Sequence, residues 1–414
     1  MALPELLTRA AQLDAQDPLA PLRQEFHLPD GLVYLDGNSL GLMHKAVPTR
    51  LAQVAQTQWA EGLIRSWSNA GWFDLPLTVG DRIAALIGAG AGEVAVGDST
   101  SVNLFKCLAA SLKLRPGRPV ILAEGNNFPT DNYMAAGLAS LVPGVRLEFL
   151  EPGQPAAARL DDQVAVLLLS HVDYRTAAVR DMAQINRDAH AAGALVVWDL
   201  SHSTGAVHFD LRASESDMAV GCTYKYLNGG PGAPAFSWVS ASLMERVRQP
   251  LSGWMGHAAP FGFTRDYQPG PGARRMVCGT PEVLSLVALD EALRIWERVD
   301  RPALFAKSRL MTSLFIEAVE ALCPTHGLRL GVTRDPAARG SHVSFDLAEG
   351  FEVMQALAAR GVIGDFRAPT TMRFGFAPLY LSFDDVVRAA VCLRDILDTR
   401  EWDQPHFRVR GKVT

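Results

Sequence analysis

Between about residues 94 and 240, short runs of apolar positions alternate with longer amphipathic stretches. The runs are VAV at 94–96, VILAEG at 120–125, VAVLLLSHV at 164–172, ALVVWDL at 194–200 and PAFSWVS at 234–240. Their apolar residues are consecutive rather than alternate, as in strands covered by helices on both faces, and the segments between them have room for crossover helices. AQINRDAHAAG at 183–193 is one such helix, with Gly193 as its stop. The prediction is an α/β fold around a mostly parallel sheet.

After about residue 285 the texture changes. LSLVALDEALRIWERV predicts a long helix, SHVSFDL and TMRFGFAPLYL predict two strands, and 383–398 predicts a terminal helix, together a smaller α+β unit. A chain of 414 residues is too long for one typical core. The expected division is 1–60 as an N-terminal arm and part of the small domain, 61–288 as the large domain and 289–414 as the small C-terminal domain. The first 30 residues are expected to pack as an arm, and QPGPGA at 268–273 to form a functional loop.

Composition narrows the function. Hydrophobic residues make up 48% and charged residues 20%, and a net charge of -5 offers no footprint for nucleic acid. The five cysteines are scattered and in no CxxC pair, so neither a disulfide framework nor a zinc or other metal site is signalled, and a reducing cytoplasm fits. No leader-like start and no run of about 18 apolar residues occurs, so neither export nor membrane insertion is expected. Small molecules and copies of the same chain remain as partners.

The sharpest chemical signal is VVWDLSHSTGAVHFD at 196–210 followed by DMAVGCTYKYLNGGPGAPAF at 217–236. Asp199 closes a buried strand, where its carboxylate can pair with a pyridinium nitrogen and keep a ring cofactor protonated as an electron sink. Lys225, 26 residues later among apolar neighbours and glycines, can lose enough basicity to form an imine and then act as a base. Either residue alone fits a helix cap or a surface lysine; His202 and Tyr224 beside them make the cofactor reading the better one. GDSTSVNLFK at 97–106 offers an anion cradle at a helix start, with Thr100 and Ser101 as candidate phosphate binders, although it also fits a plain N-cap. In EGNNFPTDNYM at 124–134, Phe128 precedes the helix cap PTD, where its ring can stack on a cofactor ring.

YLDGNSLG at 34–41, STSVNLFK, NNFPTDNYM, WDLSHSTGAVHFDL, CTYKYLNGGPGAPAF, GWMGH at 253–257, ARRMVCGTPEVLSL at 273–286 and MRFGFAPLY at 372–380 occur together in this order. In these motifs the chain resembles the kynureninases, fold type I pyridoxal-phosphate enzymes of the class V aminotransferase branch, over most of its length. The resemblance implies a pyridoxal 5′-phosphate enzyme of tryptophan degradation, hydrolysing L-kynurenine and more weakly 3-hydroxykynurenine, and a homodimer with shared active sites. It implies Lys225 as Schiff-base lysine and proton shuttle, Asp199 as pyridinium partner, Phe128 as stacking ring, and Asp131, Ser170 and His202 as further cofactor contacts. Thr100, Ser101 and Tyr224 would hold the phosphate, with Tyr224 also a proton donor, and Trp254 and Thr280 would reach the same site from the second subunit. Arg373 would grip the substrate's α-carboxylate, a role its fork of donors suits. Ser39 and Trp67 would approach the substrate's aromatic ring, the tryptophan resembling the bacterial type.

A class V aminotransferase or a cysteine desulfurase would use the same lysine and aspartate. A desulfurase needs a sulfur-accepting cysteine on a mobile loop, and GVIGDFRAPTTMRFG at 361–375 has none. A cofactor-sensing regulator would need an output module, for which the roughly 30 residues before the first motif leave no room.

Overall fold

The structure, a computed structural model, describes residues 2–411. After helix Leu3–Ala15 and the short strand β1 (Val33–Tyr34), the chain builds a seven-stranded sheet from β2 (Val94–Val96), β3 (Val120–Glu124), β4 (Arg146–Leu150), β5 (Val164–Ser170), β6 (Leu195–Asp199), β7 (Met218–Gly221) and β8 (Phe236–Val239). The order is β2-β8-β7-β6-β5-β3-β4, and only β8 runs antiparallel to its neighbours. Every residue of β5 and β6 is buried, as a strand sandwiched between helix layers requires. β9 (Arg329–Leu330), β10 (His342–Asp346), β12 (Asp365–Arg367) and β13 (Thr371–Gly375) form a four-stranded antiparallel sheet in the order β12-β13-β10-β9, and β11 (Val362–Ile363) pairs with β1.

The structure adds elements that the apolar pattern does not predict. β4, RLEFL, mixes charged and apolar residues because it is the sheet's exposed edge. β7 is only four residues long, hidden in the segment that leads to Lys225. The predicted helix after 285 is α-helical over Val283–Leu293 and tightens to a 3-10 turn over Arg294–Glu297. A 22-residue helix, Arg301–Leu322, then starts at Asp300, whose carboxylate accepts the Ala303 N–H (3.1 Å). The terminal helix runs Phe383–Thr399, opened by a Ser382/Asp385 capping box. PTD is not a cap: Phe128 itself is the N-cap residue and Pro129 the first helical position.

The N-terminal segment ties the two sheets together. Helix Leu3–Ala15 packs on helices Phe383–Thr399 and Arg301–Leu322. Asp17 pairs with the buried Lys307 (2.6 Å), which also donates to the Pro378 carbonyl (2.7 Å). Farther along, Asp36 bridges to Gly375 at the end of β13. The Gly41 N–H then donates to the Tyr224 carbonyl (2.7 Å) in the loop after β7.

Candidate active site

The parallel strands β5 and β6 end side by side, with Ser170 opposite Asp199. There a cavity of about 620 Å³ opens, lined from both sheets and from the N-terminal segment. Ser170, Asp199, His202, Tyr224 and Lys225 line it beside Thr100, Ser101, Phe128, Asp131, Ser39 and Arg373. An opening at the carboxyl ends of parallel strands is the usual ligand position in such sheets.

Asp199 accepts the Ser201 N–H on Oδ1 (2.7 Å). Asp131, in the first turn of helix Pro129–Leu141, takes a hydrogen bond from the Asn127 amide (3.0 Å), and Asn127 accepts from Ser170 Oγ (2.7 Å). Burial, with the Asp199 carboxylate beside it, pushes the Asp131 carboxyl well above the ordinary carboxylate range. Asp131 and Asp199 are two buried carboxyls in the cavity lining that form no salt bridge among the described residues, a setting suited to a protonated ring nitrogen.

Lys225 sits in the turn after β7, half-buried, its Nζ 3.3 Å from His202 Nε2 and 3.4 Å from Nδ1. Burial and then the Lys225 side chain push the His202 imidazole far below its ordinary value, so it stays neutral. The turn is fixed on both sides. Thr223 Oγ1 donates to the Pro234 carbonyl (2.6 Å), and Asn228, at a left-handed φ of 59°, donates its amide to the Leu42 carbonyl (2.9 Å). A Cβ on Gly41 would run into the Lys225 carbonyl, which accounts for the glycine that ends YLDGNSLG.

On another part of the cavity lining, Ser99 caps helix Thr100–Leu114 by accepting the Val102 N–H (3.3 Å). No backbone acceptor among the described residues takes the N–H of Thr100 or Ser101, so both remain available to an anion at the positive end of the helix. Tyr224 lines the same cavity, and its phenol is pushed up by the Cys222 sulfur and by burial, so it stays protonated. Phe128, 39% exposed, meets Tyr174 edge-on at 5.4 Å and leaves a ring face open to the cavity.

A third part of the lining belongs to the antiparallel sheet. Arg373 is buried and donates to Asp365 through Nε (2.8 Å) and Nη2, to the Tyr174 carbonyl (2.7 Å) and to Ser39 Oγ (3.1 Å). Ser39 in turn donates to Asp365 (2.9 Å). Ser39 is therefore tied to the arginine end. Sequence reasoning missed Asn38, Asn127, Tyr174, Asp365 and Arg367 as site residues; Asn38 and Asn127 lay inside quoted motifs and Asp365 and Arg367 inside the quoted 361–375 stretch, whereas Tyr174 lay in none.

Three expected site residues lie away from this cavity. Trp254 is 45% exposed and meets Phe261 edge-on, and Thr280 is exposed nearby in the chain. Trp67 packs edge-on against Trp72 (5.8 Å) in a small apolar cluster with Val54 and Val287, which gives its ring a dry niche outside the cavity of its own chain. The 268–273 loop does not line the cavity; Pro269 pairs with His257, and the Ala273 N–H donates to the Gly92 carbonyl (2.9 Å).

Comparison with known proteins agrees with this geometry. The family model described as the kynureninase C-terminal domain matches residues 304–393. A kynureninase of Burkholderia pseudomallei is 49% identical over 410 residues, covering 98% of this chain and 99% of that one. A kynureninase of Pseudomonas fluorescens is 49% identical over 407 residues, covering 97% and 98%. Among solved structures, the apo cysteine desulfurase of Thermococcus onnurineus superposes with a TM-score of 0.75 at 17% identity, over 92% of this chain and 98% of that one. A C-DES mutant with glycine covalently linked to its PLP cofactor gives 0.78 at 15% identity, over 90% and 99%. The solved structures share the type I fold of pyridoxal-phosphate enzymes, and at full-length identity near one half with its curated relatives the chain belongs to the kynureninase family.

Proposed function

We propose that this protein binds pyridoxal 5′-phosphate at Lys225 and hydrolyses L-kynurenine between Cβ and Cγ, giving anthranilate and L-alanine, with 3-hydroxykynurenine the weaker substrate. The observation that carries the reading is one cavity lined at once by Asp199 with Asp131, by the open turn at Thr100, by Arg373 and by Lys225. The first three match a ring nitrogen, a phosphate and a substrate carboxylate.

The residues fit the cofactor. Thr100, Ser101 and Tyr224 would hold the phosphate, Asp199 the ring nitrogen with Asp131 beside it, Phe128 the ring face, and Ser170 and His202 the remaining polar edge. When bound, the cofactor supplies an electron sink for negative charge at the substrate's α-carbon. The chain's own groups do the rest. Arg373 holds the α-carboxylate, Lys225 Nζ takes and returns the proton at the α-carbon, and neutral His202 lies beside that nitrogen without adding a charge. Tyr224, a phenol kept protonated, donates to the methyl group forming on alanine as water's oxygen leaves with the anthranilate carboxyl.

The exposed positions of Trp254 and Thr280 support a homodimer in which each subunit completes its partner's phosphate end. Among the described residues no helix is long and apolar enough to cross a membrane, and the five unpaired cysteines suit the reducing cytoplasm. An aminotransferase or desulfurase is the second reading because the fold is shared, but among the described residues no cysteine lines the cavity to accept sulfur.

The test is anthranilate fluorescence on mixing the pyridoxal-phosphate-loaded protein with L-kynurenine, beside Lys225→Ala. Anthranilate and equimolar alanine from the wild type, falling by at least about 10³-fold in the variant, is the expected result. An imine absorbance band without anthranilate would leave the cofactor in place and remove kynurenine as the substrate.

A further inference from the structure

β12 and β13 form an antiparallel pair with Asp365 opposite Arg373 and Arg367 opposite Thr371. Side chains two apart on a strand share a face, so Asp365, Arg367 and Arg373 all project from one side of the hairpin. That side is the cavity wall, where both arginines are found. Arg373 lies deep, 2% exposed, and Arg367 at the rim, 32% exposed, and one carboxylate, Asp365, serves both. Arg367 reaches Asp365 Oδ2 through Nη2 at 2.6 Å.

The donor count at this end is uneven. A guanidinium has five N–H donors. Arg373 spends one on Asp365 Oδ1, one on Asp365 Oδ2, one on Ser39 and one on the Tyr174 carbonyl, which leaves a single N–H, too few for a two-pronged grip on a carboxylate. Arg367 Nε is buried and has no hydrogen-bond partner among the described residues. The charge is uneven too, with two guanidiniums facing Asp365 and Asp36. Burial and the charge of Asp365 push the Asp36 carboxyl up to about 7, so it does not bring a full second negative charge at neutral pH.

We propose that Arg367 is the second guanidinium of the substrate-carboxylate site: the α-carboxylate spans the remaining N–H of Arg373 and the Nε of Arg367, with Asp365 holding the two arginines at that spacing. The assignment rests on the amino-acid substrate proposed above and makes Arg367 a substrate-binding residue. It touches neither the lysine nor the leaving aromatic group, so its removal falls on KM and leaves the chemical step nearly intact.

The test compares the loaded wild type, Arg367→Gln and Arg367→Lys. Three quantities are measured: KM and kcat for L-kynurenine, Ki for the amine that differs from kynurenine only in lacking the α-carboxylate, and Kd for L-alanine from the change in cofactor absorbance. Arg367→Gln is expected to raise KM and the alanine Kd about tenfold, change kcat less than threefold and leave the amine's Ki within twofold. Arg367→Lys should recover part of the loss, because it keeps the charge and loses the fork. Equal weakening of carboxylate and amine ligands, or an unchanged alanine Kd, overturns the proposal. If Arg367→Gln does not hold cofactor, the same comparison with Arg367→Lys decides it. Wild-type turnover of kynurenine is the separate control: its absence counts against the substrate, while the alanine titration still tests the arginine.

Discussion

Asp36 shows how one buried carboxyl can set a pH dependence. It sits beside Asp365, faces Arg367 and Arg373 across the same end of the cavity, and has one oxygen buried without a partner. With a folded value of about 7 against an ordinary 3.8, the folded chain keeps a proton between pH 4 and 7 that the unfolded chain releases. Stability from this group therefore falls as pH rises through that window, by at most about 1.4 kcal/mol per pH unit, and levels off above it. Asp36→Asn removes the slope. Urea unfolding of the cofactor-free protein at pH 5 and pH 8 should show the variant gaining on the wild type at the higher pH, and parallel behaviour of the two would contradict the assignment. The two decisive site residues were legible at this scale because each carries its context in the chain: Asp199 ends an unbroken apolar run, and Lys225 is bracketed by glycines. Arg367 carries no such context, since an arginine two positions after an aspartate acquires meaning only from the partner strand.

The segment from Tyr34 to Gly41 behaves as a strap. One end bridges β13 at Gly375, its middle gives Ser39 to Arg373, and Gly41 lies against the lysine turn. Alanine at position 41 would place a carbon against the Lys225 carbonyl and within 2.6 Å of the Asn228 amide. The strap or the turn must then shift, at a cost of about 1–3 kcal/mol. Gly41→Ala should lower the melting temperature and weaken pyridoxal-phosphate binding about tenfold or more, read by equilibrium dialysis; unchanged binding would show that the turn does not need the strap. Strands β5 and β6 were predictable because burial on both faces forces an apolar run, whereas β4 at the edge and helix Arg301–Leu322, whose buried positions include Lys307, Ser308 and Thr312, are masked by their polar residues.

For the molecule as a whole, the surface around Trp254 is what the proposed dimer would bring to the partner's cavity. Trp254, Phe261 and Phe263 are 45%, 62% and 82% exposed and contact one another edge-on. A cluster of exposed aromatics of this size suits burial against a second copy. Sedimentation should give a mass near twice 44.8 kDa at micromolar concentration. Trp254→Ala should weaken both self-association and cofactor retention; a dimer that retains cofactor fully in the variant would separate the two roles. The large sheet, the smaller antiparallel sheet and their order along the chain were legible in the texture of the sequence. How the N-terminal segment joins them was not, because its contacts reach far along the chain, from Asp36 to Gly375 and from Ser39 to Asp365 and Arg373.

That span has a consequence for biosynthesis. A ribosome releases the N-terminus first, and local units of a chain can fold as they emerge. Here Asp36 and Ser39 are made long before their partners Asp365, Arg373 and Gly375, which follow more than three hundred positions later. The strap must therefore wait, unpaired with them, while the large sheet between is synthesised, and a nascent chain stalled before residue 365 would carry Lys225 and the Thr100 turn without the arginines proposed to hold the substrate carboxylate.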